Sequence, residues 1–593
     1  MRSVRRLFIL SVLTTGAVAA CSSETTDQFA PLALSLSLSP TVDTIFVADL
    51  IVDADATSLT LTAQSLGHPV HTPSGVEWSS ADTSVAVVTS GGAVHAVGIG
   101  ETTISARVNS SRATATIVVA YRARTLSISP TSLVGLAGDT VQVTASAVDV
   151  KGVLVPNTRY VFTSSDPGIA TVTATGARTA RVLFVNAGLA RVNVSAAGQT
   201  ASATGTIQPR DFLSVPAVGA PAGSTVVSTG ADATCGILPF GRAYCFGRGS
   251  LLGVSKDTSC ANDLGPAEAC SRVPVRVAGQ LNFVTVSVGD SVACGITADA
   301  RAYCWGSQKY GQVGNGVTSN TNSVTPSSVV TGDALTPISL LRVSAGGTHA
   351  CGIALSGFAY CWGHDDVLQL GNGDSESNDS NLAIAVGSSA VWTSISTGLN
   401  HACTLNALGL AFCWGDNSSG QLGAGIDDLA KDRPVAVSGA TTFSSISAGS
   451  YHTCGVTTAG VAVCWGDNSR GQLGVPVDET DASNVPVVVA TGLRFRSISA
   501  GRSSTCGIAT TGVVYCWGDN SFWQLGSSTI ALSDSPLAIG GGRTDFTSVT
   551  VGLRNVCASS PSGLYCWGSS VLGALGSNVQ GPRQATPTKV VVP

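Results

Sequence analysis

Sixteen of the seventeen cysteines fall into eight local pairs, and oxidation is the chemistry their spacing offers first. Cys235 and Cys245, Cys294 and Cys304, Cys351 and Cys361, Cys403 and Cys413, Cys454 and Cys464, and Cys506 and Cys516 stand ten apart, and Cys557 and Cys566 nine apart. Midway lies a turn signal such as Thr457-Thr458-Ala459-Gly460, whose glycine suits the left-handed position of a three-residue hairpin loop. Folding about that centre sets the two cysteines opposite each other at about 4.5–5.5 Å between Cα atoms, inside the about 4.4–6.8 Å a disulfide needs. One cross-strand staple per hairpin is expected, contributing at most about 2–3 kcal/mol because the closed loop is short. Zinc ligation would call for Cys-x2-Cys spacing, which the sequence lacks. Cys260 and Cys270 lie in a segment, 250–272, with no counterpart in the later repeats. Their expected bond would rigidify an exposed loop, either a packing insert or a binding loop.

Other chemistry is thin. His349, His401 and His452 each precede a cysteine by two, which suggests a ring of metal ligands. Ala233, Val292, Ser504 and Asn555 hold that place in the other repeats, so a hydrogen-bonding role is expected instead. Asp416-Asn417, Asp467-Asn468 and Asp519-Asn520 lack the density of acidic ligands of a calcium cage and read as side-chain-to-backbone turns. No Gly-x-Ser-x-Gly elbow, His-Glu-x-x-His pair or Gly-Lys phosphate loop occurs. No catalytic residue, metal or cofactor is assigned.

The elements that must position these residues are strands. Charged residues make up 11% of the chain against about 25% in ordinary domains, and 68 glycines accompany abundant Ser, Thr and Val. That composition favours short strands and tight turns and excludes a long helical protein. A length of 593 residues allows roughly three to five domains. Net charge −5, with no Lys/Arg cluster, gives no field for a phosphate backbone, so nucleic-acid binding is excluded.

The start reads as an export signal over 1–20: Arg2, Arg5 and Arg6 precede an apolar run over 7–18, too short to span a bilayer. Val18-Ala19-Ala20-Cys21 resembles the lipobox of bacterial lipoproteins, which implies lipidation of Cys21 and a tether over 21–32. The other reading is cleavage after Ala20 with a free thiol. By the lipoprotein sorting rule, Ser22 favours the outer membrane or cell surface, with the lipid as sole anchor.

Two segments, 33–121 and 122–208, repeat a pattern: Trp78 and Phe162 lie 84 apart, as do Asp82 and Asp166. The stretches Trp78-Ser79-Ser80-Ala81-Asp82 and Phe162-Thr163-Ser164-Ser165-Asp166 resemble the aromatic-x-Ser-Ser-Asp pattern of group 2 bacterial Ig-like domains, implying two β-sandwiches without a disulfide.

From 212 to 593, units recur with their first cysteines 51 to 59 residues apart. The clearest unit carries Ser445-Ile446-Ser447-Ala448-Gly449, Tyr451-His452-Thr453-Cys454-Gly455, Cys464-Trp465-Gly466-Asp467-Asn468 and Gly471-Gln472-Leu473-Gly474. These motifs resemble the repeat of the regulator of chromosome condensation superfamily, which implies an all-β chain ending in a seven-bladed β-propeller. The closing strand over 586–592 is expected to pair with the first blade and hide two sheet edges. Six tryptophans occupy the Cys-Trp-Gly position, with Phe246 in the first unit, and read as core. Trp523 stands where Gly420 and Gly471 stand elsewhere, and Tyr310 flanks the same element, so both are candidate partner-binding residues.

The expected function is a non-enzymatic, monomeric surface lipoprotein whose propeller binds a protein or glycan. The resemblance also implies guanine-nucleotide exchange as an alternative, although that partner is intracellular. A secreted enzyme or enzyme inhibitor is a third reading, since the superfamily includes a secreted inhibitor of β-lactamase. Light sensing by clustered tryptophans, also known in that superfamily, is less economical than blade packing.

Overall fold

A computed structural model describes residues 35–39, 42–47, 58–60, 62–66 and 75–593, the last without 122, 156–157, 197, 214–225, 257, 263–264, 333, 478–480 and 579–580. The signal, the tether and Cys21 lie outside the described residues. Among those described, the structure is strand and turn with three 3-10 turns and no α-helix.

Two compact units form, dividing after Thr206, with 135–139 and 186–188 belonging to the second. In the first unit, Val42–Val47, Ser111–Tyr121, Gly100–Val108 and Glu77–Ser80 make one sheet, beside a smaller sheet of Ser58–Thr60, Ala93–Ala96 and Ala86–Val88. Ala86, Val94, Ile104 and Ile117 form the core between them. Residues 125–208 make two four-stranded sheets around buried Val143, Val182, Phe184, Val192 and Val194. The aspartate shared by the two segments has a local reason. Asp82 Oδ1 accepts the Ser84 amide and Asp166 Oδ1 the Gly168 amide, while Ala86 and Ala170 donate to the two aspartate carbonyls. The same Asx turn thus starts the same strand twice.

The second unit contains seven successive antiparallel sheets, six of four strands and a first of five, plus a small two-stranded ribbon of Val330–Thr331 and Thr336–Pro337 between the second and third. A representative sheet runs from an inner strand, Phe443–Ala448, through His452–Thr457 and Ala462–Asp467 to an outer strand, Ala482–Val488. Each inner strand would leave a row of unpaired amides toward its neighbour. Serine meets that need. Ser228, Ser287, Ser344, Ser396, Ser447 and Ser499 each accept, at 2.9–3.0 Å, one amide of the next sheet's inner strand, and Thr550 accepts the Thr229 amide at 3.1 Å. The glycine after each inner strand answers to close approach: a Cβ on Gly230, Gly289, Gly346, Gly398, Gly449, Gly501 or Gly552 would collide with the next one's carbonyl oxygen, the last meeting that of Gly230.

Farther out, the six Cys-Trp-Gly indoles bolt sheet to sheet. Each Nε1–H donates at 2.9–3.1 Å to a carbonyl of the preceding sheet, that of Leu251, Gln312, Gln369, Gln421, Gln472 or Gln524. Phe246 has no such donor. The corresponding carbonyl, that of Ala574, takes Asn555 Nδ2 instead, and Gly576 packs on the Phe246 ring.

All eight cysteine pairs are bonded as expected. The seven within-hairpin pairs face each other in register at Cα separations of 4.0–4.1 Å, nearer than the expected spacing because the bond draws the strands together. Cys557 and Cys566 are also directly opposed, since their hairpin turns through two residues rather than three. Cys260 instead lies opposite Glu268 and reaches Cys270 diagonally, at 5.8 Å.

Two expectations are corrected. The terminal strand, Arg583–Lys589, pairs with Gly563–Ser569 of its own last sheet, not with the first. Each Pro-containing strand closes the sheet before it, as Ala430–Ala436 does against Ala411–Asp416. The 250–272 segment is also less of an insertion than its sequence suggests. Gly265–Arg276 is the first sheet's outer strand, and only Ser259–Asn262 is added at its edge.

Candidate functional site

Strands alternate in direction, so the loops from first to second strand and from third to fourth emerge at one end of every sheet. The third-to-fourth loop satisfies itself. Gln472 Nε2 donates to Asp467 Oδ2 at 2.6 Å and its Oε1 accepts the Arg470 amide, while Asn468 Oδ1 accepts the Leu473 amide at 3.0 Å. The loops at 416–422 and 519–525 repeat these bonds. The Asp-Asn pairs therefore build turns, and the Gln-Leu-Gly element presents its carbonyl to the next indole.

The histidines are likewise structural. His401 Nε2 lies 2.8 Å from Thr453 Oγ1, and that hydroxyl gives its only proton to the Gln421 carbonyl at 2.9 Å. His401 must therefore donate from Nε2. His452 does the same to Thr505, which donates to the Gln472 carbonyl. For His349 the residue that corresponds to Thr453 and Thr505 in the next sheet is Ala402, which has no hydroxyl, and neither ring nitrogen of His349 has a partner. Burial pushes His349 and His452 down to about 4 and His401 to about 3. All three are neutral at pH 7. Among the described residues, no three His, Cys, Asp or Glu side chains are grouped to hold a metal.

What departs from the repeat gathers on the same loop end. After the inner-strand glycines stand Asp232 and Asp290 in the first two sheets, and Arg502 and Arg554 in the last two. Asp232 is buried and bound to Arg248 at 2.8 Å, yet desolvation still raises its pKa. Burial, helped by the Asp232 charge and opposed by Arg248 and Arg502, raises Asp290 to about 6.

Next to these aspartates, with Arg554 4.0 Å from Asp232, Arg470, Arg502, Asp519, Phe522, Leu553 and Arg554 line a cleft of about 280 Å³. Arg554 stacks 5.1 Å from the centre of the Phe522 ring, and Arg583 lies 5.4 Å from Phe522 and 6.0 Å from Trp523. Asp519 is occupied by its own loop through Gln524 and Ser521. Trp523 takes the left-handed backbone of the glycines it replaces, at φ +65°. A Cβ-bearing residue is strained there, although Leu368 and Leu572 also adopt it.

Tyr310 is placed otherwise. Its ring stacks on His364 with centres 3.9 Å apart, and Lys309 lies over it at 4.7 Å. His364 in turn binds Asp379 at 2.7 Å. Tyr310 thus joins the second sheet to the third, whereas Trp523 belongs to the sixth and meets the seventh. The two candidates do not form one site. The arginines and Phe522 escaped sequence reasoning because each stands alone along the chain. Comparing the loop residues repeat by repeat exposes them: no other repeat has Arg at the positions of Arg470, Arg502 and Arg554.

The RCC1-like domain family matches residues 242–593, and the group 2 bacterial Ig-like domain matches 45–119. The ultraviolet-B receptor UVR8 of Arabidopsis thaliana is 31% identical over 40% of this chain and 56% of its own length. The human E3 ubiquitin-protein ligase HERC2 is 26% identical over 50% of this chain, but only 6% of the ligase is spanned. The crystal structure of Kap60 bound to yeast RCC1 (Prp20) matches at TM-score 0.52 and 20% identity, covering 62% of this chain and 85% of that one, and supports the fold alone. Serine-linked inner strands, indole bolts and the family match agree: the chain belongs to the RCC1-like domain family, with a bacterial Ig-like domain preceding its propeller.

Proposed function

We propose that two Ig-like sandwiches carry a closed seven-bladed propeller that binds a protein partner without catalysis. The reading rests on one observation: several residues that break the repeat, Arg470, Arg502, Phe522 and Trp523 among them, stand on one loop end and are left exposed or half-buried. Family relatives such as the receptor and the ligase carry this propeller in proteins of different activities, as befits a recognition module. Eight disulfides fit an oxidising compartment, and among the described residues no helix is long and apolar enough to cross a membrane. Within that setting we assign the chain to the outer membrane or cell surface, anchored by lipid on Cys21. Exchange on a small GTPase is disfavoured by the same disulfides. Light sensing has no support from the six repeat tryptophans, whose indoles are fully buried between sheets.

The test is site-specific photo-crosslinking of the full chain in intact cells. A photoreactive residue at position 523 should give a discrete protein adduct, and one at Leu408, on a hairpin of the opposite end and 74% exposed, should not. Adducts from 408 alone, or from neither position, would overturn the reading.

A further inference from the structure

We propose that the cleft at Phe522 receives a carboxylate of an acidic protein segment that also carries an apolar side chain. This deepens the binding reading above and rests on it. The chain as a whole is acidic, at −5, yet Arg470, Arg502, Arg554 and Arg583 converge here from three consecutive sheets. Arg470, Arg502 and Arg583 are exposed, and no described carboxylate lies within 4.0 Å of any of them. Arg554 is only 8% exposed, and its neighbour Asp232, 4.0 Å away, is already held by Arg248. Asp519 is the one carboxylate among the described residues lining this cleft, so the four guanidinium groups there outnumber it and leave a net cationic charge.

The geometry of that charge selects the ligand. A guanidinium stacked on a ring is already immobilised, so less freedom is lost when it engages an anion, and its planar fork matches a carboxylate in two parallel bonds. Phe522 holds Arg554 and Arg583 in this way. Beside them, half-buried Leu553, Phe522 and Trp523 offer apolar surface that a phosphate or a uronic acid would leave uncovered. A polypeptide supplies both kinds of group within a few residues.

The measurement is fluorescence anisotropy with the full chain and a short labelled peptide alternating glutamate with leucine and phenylalanine. Binding that falls about tenfold or more for the glutamine version of the peptide, and about as much again for Arg502→Gln or Arg470→Gln, is expected, since a hydrogen bond to a charged group is worth roughly a tenfold change or more. Arg178→Gln, an exposed arginine of the first unit, should leave it unchanged. Equal binding of the two peptides, or indifference to both cleft arginines, would overturn the proposal. So would inorganic phosphate or polygalacturonate displacing the peptide at matched charge concentration, since the cleft would then be a general anion site. Crosslinking from position 523 without glutamate-dependent binding would leave the protein-binding reading standing and remove only the acidic ligand.

Discussion

Asp365 occupies a place that asparagine fills in three sister loops, and Asp365→Asn should stabilise the propeller in a pH-dependent way. In those loops Asn417, Asn468 and Asn520 use Oδ1 to accept a leucine amide and Nδ2 to donate to loop carbonyls. Asp365 Oδ1 accepts the Leu370 amide at 2.8 Å, but its Oδ2 is buried without a partner. Burial, with Asp379 and Asp374 adding repulsion, raises the carboxyl to about 6 from an ordinary 3.8. A displacement of about two pH units corresponds to about 2–3 kcal/mol. Because the folded value lies above the unfolded one, the penalty is absent below about pH 4, grows between pH 4 and 6, and is full above that. Asparagine restores the missing donor and carries no charge. Calorimetry of the full chain should show a gain near zero at pH 4 and about 2–3 kcal/mol at pH 8, or about 3 °C for a unit of this size. Comparing variant with parent at each pH cancels the histidine contributions. A gain equally large at pH 4, or a loss at pH 8, would refute the reasoning.

Three further outcomes are expected. Thr453→Val should cost about 1–3 kcal/mol by stranding the buried His401 Nε2–H, whereas Ala402→Thr should add about 1 kcal/mol by giving His349 the hydroxyl its sisters have; both are read by denaturant titration at pH 7. Since all three histidine pKa values are lowered, the unfolded chain binds more protons between about pH 4 and 6.5, and stability should fall as pH drops through that window. Trp523→Gly should leave the thermal midpoint unchanged or raise it by relieving about 1 kcal/mol of backbone strain, while weakening crosslinking from Arg583, whose guanidinium lies 6.0 Å from the ring; a loss of about 3 kcal/mol would make the ring a core residue. Palmitate labelling should mark the chain, and Cys21→Ser should remove the label and release it from membranes; continued attachment would dismiss the anchor.

Much of this structure was legible because its chemistry is local. The cysteine partners followed from a hairpin centre, and the core role of the tryptophans from one register repeated. What failed was adjacency. A strand such as Ala430–Ala436 lies between two hairpins in sequence, and nothing in its residues says which it joins; the choice is made by ladder bonds to Phe412 and Cys413. The closing strand was misassigned for that reason. Serine's part in linking inner strands was equally hidden, because Ser-x-Ser reads as strand polarity until the neighbouring backbone is in place. The arginine cleft is the extreme case, for its members span residues 470 to 583 and meet only through the ring.

The disulfides carry a consequence for biogenesis. Every bonded cysteine is joined to the very next one along the chain, from Cys235–Cys245 to Cys557–Cys566. An oxidase acting on the polypeptide as it emerges, closing each thiol onto its successor, would produce the native set without reshuffling by an isomerase. Such vectorial oxidation has one point of failure. Cys21 is the odd thiol and comes first. Capture of Cys235 by Cys21 would shift every later pairing by one, so the chemical state of that residue governs faithful maturation of the propeller as well as its location.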